Sequence, residues 1–162
     1  MAISRATSTG WLQDDETVSL SRTTSSGWVQ QVAATSVTLS YLRPSADIST
    51  GSWTPSTGTT LYETLDEVSA SDADYIQTSI ASSCEIRLAA GATPLTKTNH
   101  TLKYNLLAGS GTVTVKLVQG TTVKKTWNHT LTGSTQQISN TLTEAEANTI
   151  TDYSDLRVRF ET

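Results

Sequence analysis

The stretch from Asn99 to Leu131 constrains the fold more tightly than any other part of the chain. HTLKYNLLA, TVTVKLVQ and TVKKTWNHTL are runs in which apolar and polar residues alternate, separated by GSG and QGT. Period-two alternation puts Val113, Val115 and Leu117 on one side of a strand and Thr112, Thr114 and Lys116 on the other. That is the pattern of a half-buried sheet; on a helix the same apolar residues would scatter around the axis. The spacing predicts three antiparallel strands joined as a meander, and with it an all-β core.

Composition agrees with strands and narrows the class. The chain holds 31 threonines and 21 serines against 26 charged residues. Threonine is β-branched and suits the solvated face of a pleated sheet. A length of 162 residues suits one domain with an appended arm. The net charge is −4, and Lys124–Lys125 is the only adjacent cationic pair, so neither nucleic acid nor an anionic membrane is an expected partner. No apolar run approaches the roughly 18 residues of a membrane span, and the start, MAISRATSTGW, lacks the apolar core of a secretory signal. The single cysteine, Cys84, forms no intrachain disulfide; its neighbours in SSCEIRLA alternate, which predicts a small buried hydrophobe.

Residues 1–35 read differently from residues 36–162. They contain an echo, STGW at Ser8–Trp11 and SSGW at Ser25–Trp28, with Val18 and Leu20 alternating between them. One or two short strands, or an extended arm with aromatic anchors, both fit. From Ser36, SVTLSYLR predicts a strand carrying Val37, Leu39 and Tyr41 and ended by Pro44; SADISTGSWTPSTGTT then predicts a loop. LYETLDEV is read as a short strand, with a helical turn as the other reading. ADYIQTSI and CEIRLA supply two more strands. In LTEAEANTI, Thr143 followed three residues later by Glu146 is a capping-box signature, which predicts a short helix over Thr143–Ile150 facing the core with Leu142, Ala145 and Ile150. The terminal LRVRF predicts a strand with Leu156, Val158 and Phe160 inward and Arg157 and Arg159 outward, tying the edges of the fold together.

Four blocks carry a resemblance: GSWTPSTG at Gly51–Gly58, LYETLDE at Leu61–Glu67, DADYI at Asp72–Ile76, and the terminal LTEAEANTITDYSDLRVRF. Together they resemble a family of tailed-bacteriophage virion structural proteins built on a jelly-roll-like β-sandwich. Members carry a W-T-x-S-x-G block, an apolar segment ending in D-E, and then D-x-D-Y-I. The resemblance covers Ser36–Thr162 and not the first 35 residues. It implies a virion component without catalysis, and the family includes both capsid-decorating and tail-associated proteins.

Asp14, Asp15 and Glu16, and again Asp66, Glu67, Asp72 and Asp74, are acidic groups, but their spacing matches no calcium-loop signature, so solvated loop carboxylates are expected. His100 and His129, each within Asn-His-Thr, would need further ligands to hold zinc, and polar strand positions are expected instead. There is no G-x-S-x-G elbow, phosphate loop or dinucleotide fingerprint. Among the aromatics, Trp53, Tyr62, Tyr75 and Trp127 could line a sugar-binding face, but structural packing is the expectation for Trp53 and Trp127.

The sequence therefore predicts an all-β, jelly-roll-like antiparallel sandwich with one short helix near its C-terminus and an N-terminal arm. The expected function is a non-enzymatic capsid decoration (cement) protein, made in the host cytoplasm and located on the virion. Its expected partners are the major capsid protein or other virion proteins, with homo-oligomerisation open, and it needs neither metal nor cofactor. Trp11, Trp28 and Trp53 are the candidate anchors. A tail or fibre domain that recognises a host glycan is the alternative.

Overall fold

The computed structural model of the chain describes residues 21–22, 28–29, 40–66 and 72–162. The chain divides into two units, one of Met1–Tyr41 with Pro94–Thr96, the other of Leu42–Thr93 with Lys97–Thr162. In the first, β1 (Ser21–Arg22) pairs antiparallel with β2 (Trp28–Val29). Val37 and Leu39 of the expected first strand lie outside the described residues.

The second unit is built on a five-stranded antiparallel sheet in the order β3 (Pro44–Ser49), β6 (Ser83–Leu88), β11 (Leu156–Glu161), β8 (Thr112–Gln119), β9 (Thr122–Thr130). A separate antiparallel ribbon joins β7 (Thr101–Leu106) to β10 (Gln136–Thr141), and a two-residue pair joins β4 (Thr54–Pro55) to β5 (Ile76–Gln77). Three pairings nest: β8 with β9, β7 with β10 outside it, and β6 with β11 outside that.

The expected meander is corrected by this nesting. β8 and β9 do form a hairpin, turning at Gly120 with a positive φ of 58°. β7, however, pairs with β10 and not with β8, whose second neighbour is β11. Both β7 and β8 carry an apolar face, and stacking one over the other buries both. Accordingly Leu102, Tyr104, Leu106 and Ile138 of the ribbon share one core with Val113, Val115, Leu117, Trp127, Leu156 and Val158 of the sheet. The last strand lies in the middle of the sheet and not at its edges; its alternation is as expected, with Leu156 and Val158 buried.

Three local expectations also change. Pro44 opens β3 instead of ending a strand, and Ser45–Ser49, expected in a loop, are paired to β6. Proline is tolerated there because β3 is an edge strand and Pro44 is its first residue. Tyr62–Thr64 form a 3-10 turn and not a strand, because Asp47 Oδ2 and Oδ1 accept from the backbone N–H of Leu61 (2.9 Å) and Tyr62 (2.8 Å) and so hold the turn's first donors. Helix α1 (Glu144–Asn148) has its capping box: Thr143 Oγ1 accepts from Glu146 N (3.2 Å) and Glu146 Oε2 accepts from Thr143 N (2.9 Å). Its core residue is Ala147, not Ala145, and Leu142 and Ile150 are buried on either side.

Candidate functional site

Alternation along β11 turns Arg157, Arg159 and Glu161 to the outer face of the five-stranded sheet, opposite the core. The register sets Arg157 across from Arg87 and Arg159 across from Glu85 on β6, and Arg159 across from Lys116 on β8. Like charges facing each other across strands would repel, so the carboxylates between them decide whether the face is stable. Glu85 lies between two arginines: its Oε1 accepts from Arg157 Nη1 at 2.9 Å, and its Oε2 accepts from Arg159 Nε at 2.7 Å. Arg157 also donates through Nε and Nη2 to Asp155, both at 3.0 Å, and Arg87 reaches Asp155 at 3.5 Å. Lys116 donates to both oxygens of Glu161, at 2.7 and 2.6 Å, and Arg159 approaches Glu161 at 3.8 Å.

Glu85 is only 6% exposed although it sits on the outer face, where the guanidinium groups of Arg157 and Arg159 close on its carboxylate. Burial alone would push its carboxyl up; hydrogen bonds from Arg157 and Arg159 outweigh that and hold it below the usual carboxylate range. Arg157 is correspondingly held in its charged form, chiefly by its hydrogen bond to Glu85 against the opposing effect of burial. The face thus carries four cations (Arg87, Lys116, Arg157, Arg159) and three anions (Glu85, Asp155, Glu161), a balance of 4 − 3 = +1 on a chain whose net charge is −4. Chemically this is a sheet surface with a fixed charge pattern. Such a surface gives a partner register and orientation more than raw affinity.

Trp53, one of the three expected anchors, is 9% exposed and packs with Leu61, Cys84 and Ile86. Its ring lies 6.2 Å from Phe160 at 49°, and its Nε1 is buried without an acceptor among the described residues. The close approach that seats it is made at Gly51: φ is +53°, and a Cβ there would stand 2.2 Å from the Ser83 carbonyl oxygen. Trp53 therefore pins its loop. Beside it a cleft of about 300 Å³ is lined by Ser52, Thr54, Gln77, Thr78 and Ser79, all hydroxyls and an amide. Trp11 and the side chain of Trp28 lie outside the described residues; the backbone of Trp28 belongs to β2.

The two histidines are drawn into matching arrangements. His129 Nε2 lies 2.6 Å from Tyr104 Oη, which also accepts from Asn140 Nδ2 at 2.9 Å. His100 Nε2 lies 2.8 Å from Tyr153 Oη, which accepts from Lys97 Nζ at 3.1 Å. His100 Nδ1 faces the Thr98 carbonyl oxygen at 3.1 Å and so donates to it, while the direction of each Tyr–His bond follows the imidazole tautomer; these pairs link the ribbon to its surroundings. Burial pushes Tyr104 up to about 12. Cys84 is fully buried and burial pushes its thiol up to about 12, which is the environment of an inert thiol. Asp74 accepts from Thr57 Oγ1 at 2.9 Å, while Asp14, Asp15, Glu16 and Glu67 lie outside the described residues. Among the described residues no three His, Cys, Asp or Glu side chains gather as a metal-holding group, and no helix is long and apolar enough to cross a membrane.

Sequence reasoning turned Arg157 and Arg159 outward but did not single out Glu85. The signal was present in Cys84-Glu-Ile-Arg87, whose alternation puts Glu85 and Arg87 on one face; which strand would supply the opposite charges depended on the β6–β11 pairing. No protein-family model matches the chain, nor does a curated protein or a solved structure.

Proposed function

We propose that this protein is a non-enzymatic structural component of a tailed-phage virion, a capsid decoration protein that binds the assembled head and stabilises it. The nested pairing of β8–β9, β7–β10 and β6–β11 is the observation that carries this reading. Successive pairs wrapped inside one another are the scheme of a jelly-roll sandwich, an architecture common in virion proteins. It agrees with the fold implied by the resemblance at Gly51–Gly58, Leu61–Glu67 and Asp72–Ile76. The charged sheet face of Glu85, Arg157 and Arg159 supports the same reading, because it offers a partner a fixed and nearly balanced pattern.

In this mechanism each copy binds the assembled shell and not its free subunits, so binding shifts assembly by mass action. Trp11 and Trp28 act as arm anchors and the loop around Trp53 as a second contact. The test adds purified protein to undecorated heads and follows pelleting and thermal disruption of the heads. Bound protein with a raised disruption temperature supports the reading; no binding overturns it. Replacing both Trp11 and Trp28 by Ala is expected to weaken pelleting while the domain still folds, and unchanged pelleting would remove the arm from the mechanism.

The hydroxyl- and amide-lined cleft at Ser52, Thr54, Gln77, Thr78 and Ser79 favours a second reading, recognition of a host-surface glycan by a tail or fibre. Binding on a glycan array that is lost on substituting Gln77 would select it over the shell role.

A further inference from the structure

We propose that the open edge of β10 is a self-association site, at which a second copy of this chain adds its own β10 antiparallel across a two-fold axis. The backbone geometry defines that edge. Leu142 N donates to His100 O at 2.8 Å, one step beyond the Thr141–Thr101 pair. Antiparallel residues alternate between facing their partner and facing away. Asn140, Ile138 and Gln136 therefore turn their N–H and C=O groups toward β7, and Gln137, Ser139 and Thr141 turn theirs outward. Among the described residues no strand pairs with that side.

Other edges carry the usual protections against pairing. β3 begins with Pro44, shifts register twice against β6, and has Asp47 tied to the Tyr62–Thr64 turn. β9 carries Lys124, which donates to Thr149 O of the α1 cap at 2.6 Å, and Lys125, which pairs with Glu146. β7 has the outward Lys103. β10 reads QQISNT: no charge, no proline, and no register shift over its six pairs with β7.

The charge pattern also selects the occupant. A two-fold through Ser139 sets Ser139 against Ser139 and Gln137 against Thr141 of the second copy, satisfying about six backbone hydrogen bonds. Only neutral hydrogen-bonding side chains meet on the outer face, and Ile138 meets Asn140 on the inner one. The same operation on β7 would bring Lys103 against itself, a destabilising pair. The product is a continuous four-stranded layer, β7–β10–β10–β7, across two copies. Two six-residue strands bury less than the roughly 1,200 Å² of a stable interface, so association belongs to high local concentration. The inference stands independently of the decoration role.

Sedimentation equilibrium on the full chain, from about 10 µM to about 1 mM, tests it with two variants. Ser139→Pro removes an edge N–H while sparing the β7 ladder. Ser139→Glu is compatible with the fold, since Ser139 sits across from Lys103, but opposes its own copy in the dimer. The wild type is expected to dimerise with rising concentration and both variants to associate at least tenfold more weakly, with melting curves showing that both fold. A wild type that stays monomeric throughout, or a dimer that both variants leave intact, would overturn the proposal.

Discussion

Replacing Glu85 by Gln tests whether the outer sheet face is held together as its geometry indicates. The carboxylate receives donors at 2.9 Å from Arg157 and at 2.7 Å from Arg159, in a side chain 8% exposed. Two charge-assisted contacts of about 1.5–3 kcal/mol each would set an upper figure of about 3–6 kcal/mol. That must be discounted. Arg157 and Arg159 remain 16% and 29% exposed, Arg157 keeps its two-point grip on Asp155, and glutamine retains one acceptor oxygen. The expected loss is about 2 kcal/mol, or a fall in Tm of about 4–8 °C for a chain of this size. Urea unfolding should show a lower midpoint with an unchanged slope, since the surface exposed on unfolding is the same. Raising salt to about 0.5 M should leave most of the difference, because a covered pair is screened less than an open one. A change below about 0.5 kcal/mol would refute the reasoning: Glu85 would then be solvated and its arginines indifferent to it.

Other consequences follow from single contacts. Tyr104→Phe leaves Asn140 and His129 without their shared hydroxyl and is expected to cost about 1–3 kcal/mol in urea unfolding; a neutral variant would dissolve that network. Trp53→Phe keeps an aromatic ring in the pocket but gives up part of the buried indole along with a donor that has no acceptor among the described residues, so it should cost less than Trp53→Ala, which should cost about 3–5 kcal/mol. Glu146 is held down to about 2 by its hydrogen bond from Lys125 and by the Thr143 cap. Because its folded value is depressed, its stabilisation is complete above the usual carboxylate range and fades as pH falls toward about 2; the melting-temperature gap between wild type and Glu146→Gln should close over that window. Cys84 should resist a thiol reagent until the protein unfolds, and labelling at the rate of a free thiol would contradict its burial.

Local physics written into adjacent residues was legible before any coordinates. The alternation of TVTVKLV and LRVRF gives β8 and β11 their buried faces, and Thr143 with Glu146 gives α1 its cap. What depended on distant partners was not. The role of β7 turned on β10, some 30 residues on, and nothing local distinguishes a strand that pairs with its successor from one that crosses to another layer. Tyr62–Thr64 became a turn because Asp47 reaches its first donors from a strand 14 residues earlier in the chain. Glu85 looked like any solvent-facing strand carboxylate until the β6–β11 register brought two arginines onto it. Trp53 was expected to pack, and the coordinates add its place beside Phe160.

The decoration reading is tested most directly by locating the protein on purified virions, by antibody labelling and low-resolution electron microscopy. The account predicts label spread in a regular lattice over the head. Label confined to the tail or its tip, or absent from the particle, would contradict it.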